Sequence, residues 1–377
     1  MNILALTFCG GKCGSTVNLG FIVSCLTKRG HSVFVPYSKK DEGSRYLENC
    51  GAKIIHCPVP LAMNTATVLE SSKLSMAYIF RQNLKDIIRF PIGYFLVAFF
   101  ILKTKSDIVF SSDLVFPQAI LAGKLLKRIN ICGIQSEVIK GKNGIRRKII
   151  IRIVNNCQKI FAITEYHLRP FVKGHIDKSK YSVVPNTIFN ESFQEAVNAN
   201  KQTSVASKYS KQIFFMGGDI PCKGVNIIRK IASISKERNL SFIFILAGPF
   251  KNEFDGDNIK IIGEIPDIVD VLKKSDLLLV ANSFPHFSRP MIEAFSTKTP
   301  VLAISDRFTR NISENGKNAF LIDSIDPNMW LNKICNIFKN ESVLRTKTDE
   351  AYKKYLSSYN PEIVKNKIVE IFESNSL

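Results

Sequence analysis

Short apolar runs alternate along this chain with segments whose apolar residues recur at helical spacing. Such alternation predicts βαβ units and parallel sheet. In the first half the predicted strands are Ile3–Phe8, Val33–Tyr37, a run near Lys53–Cys57, and the segments "SDIVFSSD", "INICGIQSE", "CQKIFAIT" and "YSVVPNT". A glycine-rich turn, Gly10–Ser15, joins the first strand to a helix predicted over Val17–Arg29 and closed by Gly30. Polar residues 194–211 read as a linker. A second series then opens with "QIFFMGG", a helix over Val225–Arg238, "SFIFILAG", "IKIIGEI", "DLLLVAN", a helix after Pro290, and "PVLAIS". The tail, 360–377, carries Ile363, Ile368 and Ile371 at helical spacing. The expected fold is α/β, two Rossmann-like doubly wound domains facing across a cleft, with ligands at the carboxyl ends of the strands.

Composition narrows the picture. The chain has 377 residues, 45% of them hydrophobic and 22% charged, enough for two folded domains. The N-terminus lacks a basic region and cleavage site, so no secretion signal is expected. Nine cysteines without paired spacing suggest neither a disulfide framework nor a metal cluster. A cytoplasmic location follows. The net charge of +20 is uneven: residues 1–190 hold 27 Lys and Arg against 10 Asp and Glu, or +17. Its densest run is Lys140, Lys142, Arg146, Arg147, Lys148 and Arg152. Anionic lipid, phosphorylated substrates and nucleic acid all suit such a field. Nucleic acid is disfavoured, because no aromatic-interleaved RNA motif or zinc finger accompanies the charge. A strongly apolar uncharged run, Phe90–Leu102 between Arg89 and Lys103, is shorter than a membrane span. It is either a buried helix or one lying on a membrane surface.

Three segments could carry chemistry. "GGKCGS" offers a tight turn and a helix N-terminus, and fits neither a Walker A motif nor GxGxxG. In "FMGGDIPCKGVNII" a strand ends at Gly217 and Gly218, and Lys223 opens a helix where positive charge is unfavourable unless an anion is bound. In "HFSRPMIEAFSTKTPV" Ser288 is placed to cap and Pro290 suits the first turn. Free N–H groups there can hold a diphosphate. Glu293, just beyond, can accept hydrogen bonds from a ribose diol.

Together these segments resemble the family 4 glycosyltransferases, retaining enzymes of the GT-B fold. The resemblance is carried by "YSVVPNTIF", "FFMGGDIPCKGV", "IKIIGEIP", "SDLLLVANSF" with "RPMIEAFSTKTPVLAIS", and "SENGKNAFLI" in order, and by the opening "MNILALTFCGGKCGSTVNLG". It implies an acceptor-binding domain over 1–190, a nucleotide-sugar-binding domain over 191–359, and a tail helix, 360–377, crossing back to the first. It also implies transfer of a sugar from a nucleotide-diphosphate donor to a hydroxyl of a glycan or lipid-linked glycan, with retention. By this resemblance Lys223 neutralises the donor diphosphate and Glu293 binds the ribose. Gly263, Glu264 and Ile265 meet the base, and His286, Phe287, Ser288, Arg289 and Pro290 the phosphate and sugar. Gly11 and Gly14 line the N-terminal wall, and Gln135, Ser136 and Glu137 lie on the acceptor side. No cofactor and no metal are expected. The chain departs from the family at Gly218, where an arginine stands, at Pro285, where a glutamate stands, and at Gln135 or Ser136, where a histidine stands. Arg289 is then the candidate to supply the missing cation. The alternative function is a catalytically silent sugar-nucleotide-binding or scaffold protein. The basic N-terminal half is expected to meet an anionic membrane surface.

Overall fold

The computed structural model describes residues 1–8, 11, 13–63, 76–135, 144–172, 178–188, 209–250, 256–265, 268–285 and 287–374. The chain forms two compact units, Met1–Asn186 with Glu362–Leu377, and Thr187–Pro361. The fold is GT-B.

The first unit is built on seven parallel strands: β1 (Asn2–Leu6), β2 (Ser32–Tyr37), β3 (Lys53–His56), β4 (Ile108–Ser111), β5 (Ile129–Ile134), β6 (Lys159–Ala162) and β7 (Tyr181–Val183). Their order is β3-β2-β1-β4-β5-β6-β7. The chain runs outward from β1 to β3 and then resumes on the other side of β1, so the switch point lies between β1 and β4. All seven coincide with the predicted apolar segments, β1 and β2 each beginning one residue earlier. The described helices are α1 (Gly14–Thr27), α2 (Glu42–Asn49), α3 (Met76–Thr104), α4 (Pro117–Leu125), α5 (Gly144–Val154) and α6 (Glu165–Val172). Beyond them, α13 (Pro361–Glu373) returns to this unit from the end of the chain. Helix α1 begins three residues before its predicted start, because Gly11, at φ +80, makes the turn and Cys13 is already the extended N-cap residue.

Packing follows the alternation of side chains along each strand. Leu4, Leu6 and Val109 share a core with Val97, Phe100 and Ile101 of α3. From α13, Phe372 sets its ring 5.2 Å edge-on from Phe110. Glu373 takes paired hydrogen bonds from Arg29 and lies 3.1 Å from His31, which fastens the tail helix to the end of α1 and the start of β2. The Arg29 hydrogen bonds hold the Glu373 carboxyl below its usual range.

The predicted run Phe90–Leu102 is one part of α3, a helix of 29 residues. Its two faces have different fates. Val97, Phe100 and Ile101 are buried, whereas Phe95, Phe99 and Leu102 are more than half exposed.

The second unit has six parallel strands: β8 (Lys211–Met216), β9 (Phe242–Ala247), β10 (Ile259–Gly263), β11 (Leu277–Val280), β12 (Val301–Ile304) and β13 (Phe320–Ile322). Their order is β10-β9-β8-β11-β12-β13, which puts the switch point between β8 and β11. The three-residue edge strand β13 is absent from the predicted strands; "AFLI" is too short to show a period. The helices are α7 (Val225–Glu237), α8 (Val269–Lys274), α9 (Arg289–Ser296), α10 (Arg307–Ile312), α11 (Pro327–Lys339) and α12 (Glu341–Lys354). Ile213 and Phe215 face a core completed by Ile228 and Ile231 of α7 and Trp330 and Ile334 of α11. Phe214, on the opposite face of the same strand, is equally buried, as expected of a parallel sheet covered on both sides. Residues 194–208 of the predicted linker lie outside the described residues, and Lys211 already belongs to β8.

Candidate functional site

In the second unit the predicted residues gather where the strand order reverses. After β8 the chain turns through Gly217 and Gly218, whose amides both donate to the Ala247 carbonyl at 3.1 Å. Gly248, at the end of β9, in turn donates to Gly263 at 2.7 Å. The carboxyl ends of β8, β9 and β10 are thereby tied together, bringing Gly217, Gly218 and Gly263 to one edge. Glu264 and Ile265 follow directly, Glu264 exposed.

Pro221–Lys223 form a single 3-10 turn, and Gly224, at φ +92, reverses the backbone into α7. That left-handed conformation favours glycine. Space requires it as well, since a Cβ on Gly224 would run into the backbone carbonyl of Ala281, just past β11. Ser283 donates its amide to the Cys222 carbonyl at 2.9 Å. The Lys223 turn is thus fastened across the switch point to the segment leading into α9. Gly217 serves the same purpose on the other side: a Cβ there would sit 2.9 Å from the Lys223 Cβ.

Lys223 is half-buried. Burial pushes its ammonium below the usual lysine range. No carboxylate among the described residues pairs with it. The nearby acid, Asp219, is bound instead by Arg229 of α7 at 2.8 Å. A partly desolvated cation without a counter-charge, at the carboxyl end of a central strand, is arranged to receive an anion.

Helix α9 supplies the second part. Pro290 occupies its first turn. Contrary to expectation, the Ser288 side chain caps nothing; it is buried, as is Phe287. Glu293 is 4% exposed and lies one turn beyond Arg289, whose Nε is 2.9 Å from its carboxylate. The Nε–H does not aim along that contact, so charge rather than an aligned hydrogen bond holds the pair. Arg289 is therefore engaged with Glu293, a pairing that i,i+4 spacing permits but does not announce. Pro285 is exposed, and His286 lies outside the described residues. Asn282, buried two residues past β11, was not singled out from sequence. Its position just past a strand was the available signal.

In the first unit, Gly11 follows β1 at the switch point. Its amide donates to Asp41 Oδ2 at 3.2 Å, and its carbonyl accepts from Cys13 N and Thr16 Oγ1. Asp41 also caps α2 through Ser44. Gly14 opens α1 with free space where a Cβ would lie. Burial pushes the Cys13 thiol up, but hydrogen bonds from Ser15 and Thr16 outweigh it and hold the thiol below its usual range. Gln135, after β5, donates its amide to Asp113 and its side chain to the Ser112 carbonyl, linking the ends of β4 and β5. Ser136 and Glu137 lie outside the described residues, as do Lys140 and Lys142 of the basic run. No group of three or more His, Cys, Asp or Glu that could hold a metal occurs among the described residues.

Residues 197–355 match the family model of the glycosyl transferases group 1. That match lies within the second unit. The UDP-Gal:alpha-D-GlcNAc-diphosphoundecaprenol alpha-1,3-galactosyltransferase of Escherichia coli is 25% identical over 202 residues, 49% of this chain and 52% of that protein. The chain thus matches about half the length of that relative. An uncharacterized glycosyltransferase of Methanocaldococcus jannaschii is 22% identical over 65% of this chain and 70% of its own. Among solved structures, Anabaena HepE in complex with UDP superposes with a TM-score of 0.73 at 14% identity, covering 99% of this chain and 100% of that one. The matched segment contains every predicted site residue after β8, from Gly217 to Glu293.

Proposed function

We propose that the protein is a retaining glycosyltransferase that moves a sugar from a nucleotide-diphosphate donor to a hydroxyl of a glycan or lipid-linked glycan. The observation that carries this reading is Lys223: a half-buried cation, paired with no carboxylate among the described residues, in a glycine-shaped turn fastened across the β8–β11 switch point. As the bond between sugar and diphosphate breaks, negative charge grows on the leaving phosphate. Lys223 and the first turn of α9 meet that charge without reorganising. Charges and N–H groups fixed in place beforehand usually account for more of an enzyme's rate enhancement than any other single effect. Glu293, steadied by Arg289, accepts from the ribose. The step uses no metal and no protein nucleophile; the acceptor hydroxyl attacks from the face the phosphate leaves and gives its proton to the departing phosphate. Gly11 and Gln135 are assigned to the acceptor side, and Gly14 to the donor. A lipid-linked acceptor is supported by the E. coli relative, whose name specifies a diphosphoundecaprenol-linked sugar. A cytoplasmic location accords with the eight free cysteines among the described residues.

Incubating the protein with a panel of nucleotide-sugars and measuring diphosphate release tests the reading. Anomeric NMR of the product reads retention. Donor binding without release under every acceptor tried would favour the silent sugar-nucleotide binder instead, a reading prompted by glycine and proline at 218 and 285.

The depressed lysine also predicts a pH dependence. Only the protonated ammonium attracts diphosphate, so affinity is full below the folded-state pKa of Lys223 and falls as pH rises through it. Because burial lowers that pKa, the fall begins at lower pH than for an ordinary lysine. In the free protein the sign is opposite: the cost of burying the charge is present at low pH and is relieved as pH rises. Titrating nucleoside diphosphate by calorimetry across alkaline pH measures the first effect. Lys223→Arg should flatten the curve.

Arg289→Ala should lower turnover roughly 10- to 100-fold, the usual effect of losing a hydrogen bond or contact to a charged group. Arg307→Ala, on another helix of the same unit, should leave it unchanged. Equal rates for the two variants would show that the Arg289–Glu293 pair serves only the fold.

A further inference from the structure

Helix α3 is apolar on two faces, and the sheet uses only one. Val97, Phe100 and Ile101 pack into the core with Leu4 and Val109. On the other side Phe80, Leu84, Ile88, Phe95, Phe99 and Leu102 are exposed, Phe95 at 71%. These six follow one another three, four or seven residues apart, so they form one continuous stripe about 33 Å long. An exposed apolar face of this extent marks an interaction surface. Along one edge of the stripe, Arg81, Lys85 and Arg89 recur at four-residue spacing, and Lys103 continues the row with its ammonium 5.8 Å from the Phe99 ring. The one acid in this stretch, Asp86, is buried on the opposite side. Helices α4 and α5, packed in series beside α3, expose Leu125 and Ile149 together with Lys124, Lys148 and Arg152.

The charge pattern selects the occupant. Two copies of this face would set cation against cation. An acidic, apolar surface matches both the stripe and its edge. The segment Leu84–Thr104 is long and apolar enough to cross a bilayer by length and composition. Its inner face, however, completes the core of the first unit, so the helix can lie in the membrane plane but cannot leave the domain to span it. We propose that α3 docks this protein on an anionic bilayer, the Phe80-to-Leu102 stripe inserted at the boundary of headgroups and acyl chains and the basic edge on the lipid phosphates. Half-buried Lys85 and Arg89 suit that place, since their stems can lie along apolar surface while their charges reach the phosphates.

Vesicle flotation of the full chain tests this. Wild-type protein should float with mixed phosphatidylglycerol–phosphatidylcholine vesicles and far less with phosphatidylcholine alone. Phe95→Asp, at an exposed position, should weaken partitioning roughly ten- to hundredfold with no change in melting temperature. Removing one basic side chain, as in Arg89→Gln, should weaken it about fivefold. Phe95→Trp adds a direct probe. The chain's single tryptophan, Trp330, is fully buried in the second unit, so a blue shift on adding vesicles would come from position 95. Phe95→Asp floating like wild type would overturn the proposal, as would unmoved emission from Phe95→Trp. So would a wild-type dimer, insensitive to vesicles, that Phe95→Asp dissociates.

Discussion

Lys223→Ala should reduce nucleoside diphosphate release roughly 100- to 1000-fold, a loss of about 2.7–4 kcal/mol in transition-state stabilisation. The size of the effect follows from the site's construction. Asp219, the acid nearest in sequence, is bound by Arg229, and Arg289 is engaged with Glu293. Among the described cations of this turn and of α9, Lys223 is therefore the one left to meet the leaving phosphate, in a position where burial strengthens its interaction with any partner. The structural cost of the substitution should be small, because removing an unpaired, partly desolvated charge strands no partner. Turnover and stability should thus separate: melting unchanged or slightly raised, rate nearly lost. A variant that retains more than a tenth of the wild-type rate would remove Lys223 from the mechanism.

Gly224→Ala should have the largest effect on stability. Two costs coincide there. A non-glycine residue held at φ +92 costs about 1–3 kcal/mol. The added methyl also runs into the Ala281 carbonyl, a backbone atom that cannot rotate aside, for a further ~1–3 kcal/mol of overpacking. For a unit of this size the sum lowers the melting temperature by on the order of 10 °C. The turn carrying Lys223 is fastened at this point, so whatever donor affinity the protein has should fall with it. Gly14→Ala is the contrasting case. It lies in α1 with open space around its Cβ position and a backbone that alanine accepts, and alanine is the better helix former. It should leave melting unchanged or slightly higher. Differential scanning calorimetry of the two variants checks both expectations; equal melting would mean that the Lys223 turn can shift away from β11 at little cost.

Much of the architecture was legible because parallel strands buried on both faces leave uninterrupted apolar runs, and helices leave a period. Ile3–Leu6, Ile213–Phe215 and Leu277–Val280 could hardly be anything else. The glycine turns before α1 and α7 were visible too, because a sharp reversal leaves few alternatives in residue type. Lys223 and Glu293 were singled out by their places in the first turns of helices, and their roles by the family resemblance. What those side chains touch could not be read in the same way. Ser288 has the residue type of a cap, yet its side chain is buried and caps nothing. Arg289 turns toward Glu293, and Asp219 toward Arg229 rather than Lys223. Each outcome depends on how elements distant in sequence crowd one another. The same holds for α3. Its apolar positions specify a helix with two oily faces, but only the packed sheet decides that Val97 and Phe100 go inward while Phe95 and Phe99 stay outside. Periodicity is a property of neighbours along the chain; burial and charge pairing belong to neighbours in space, which only the tertiary structure brings together.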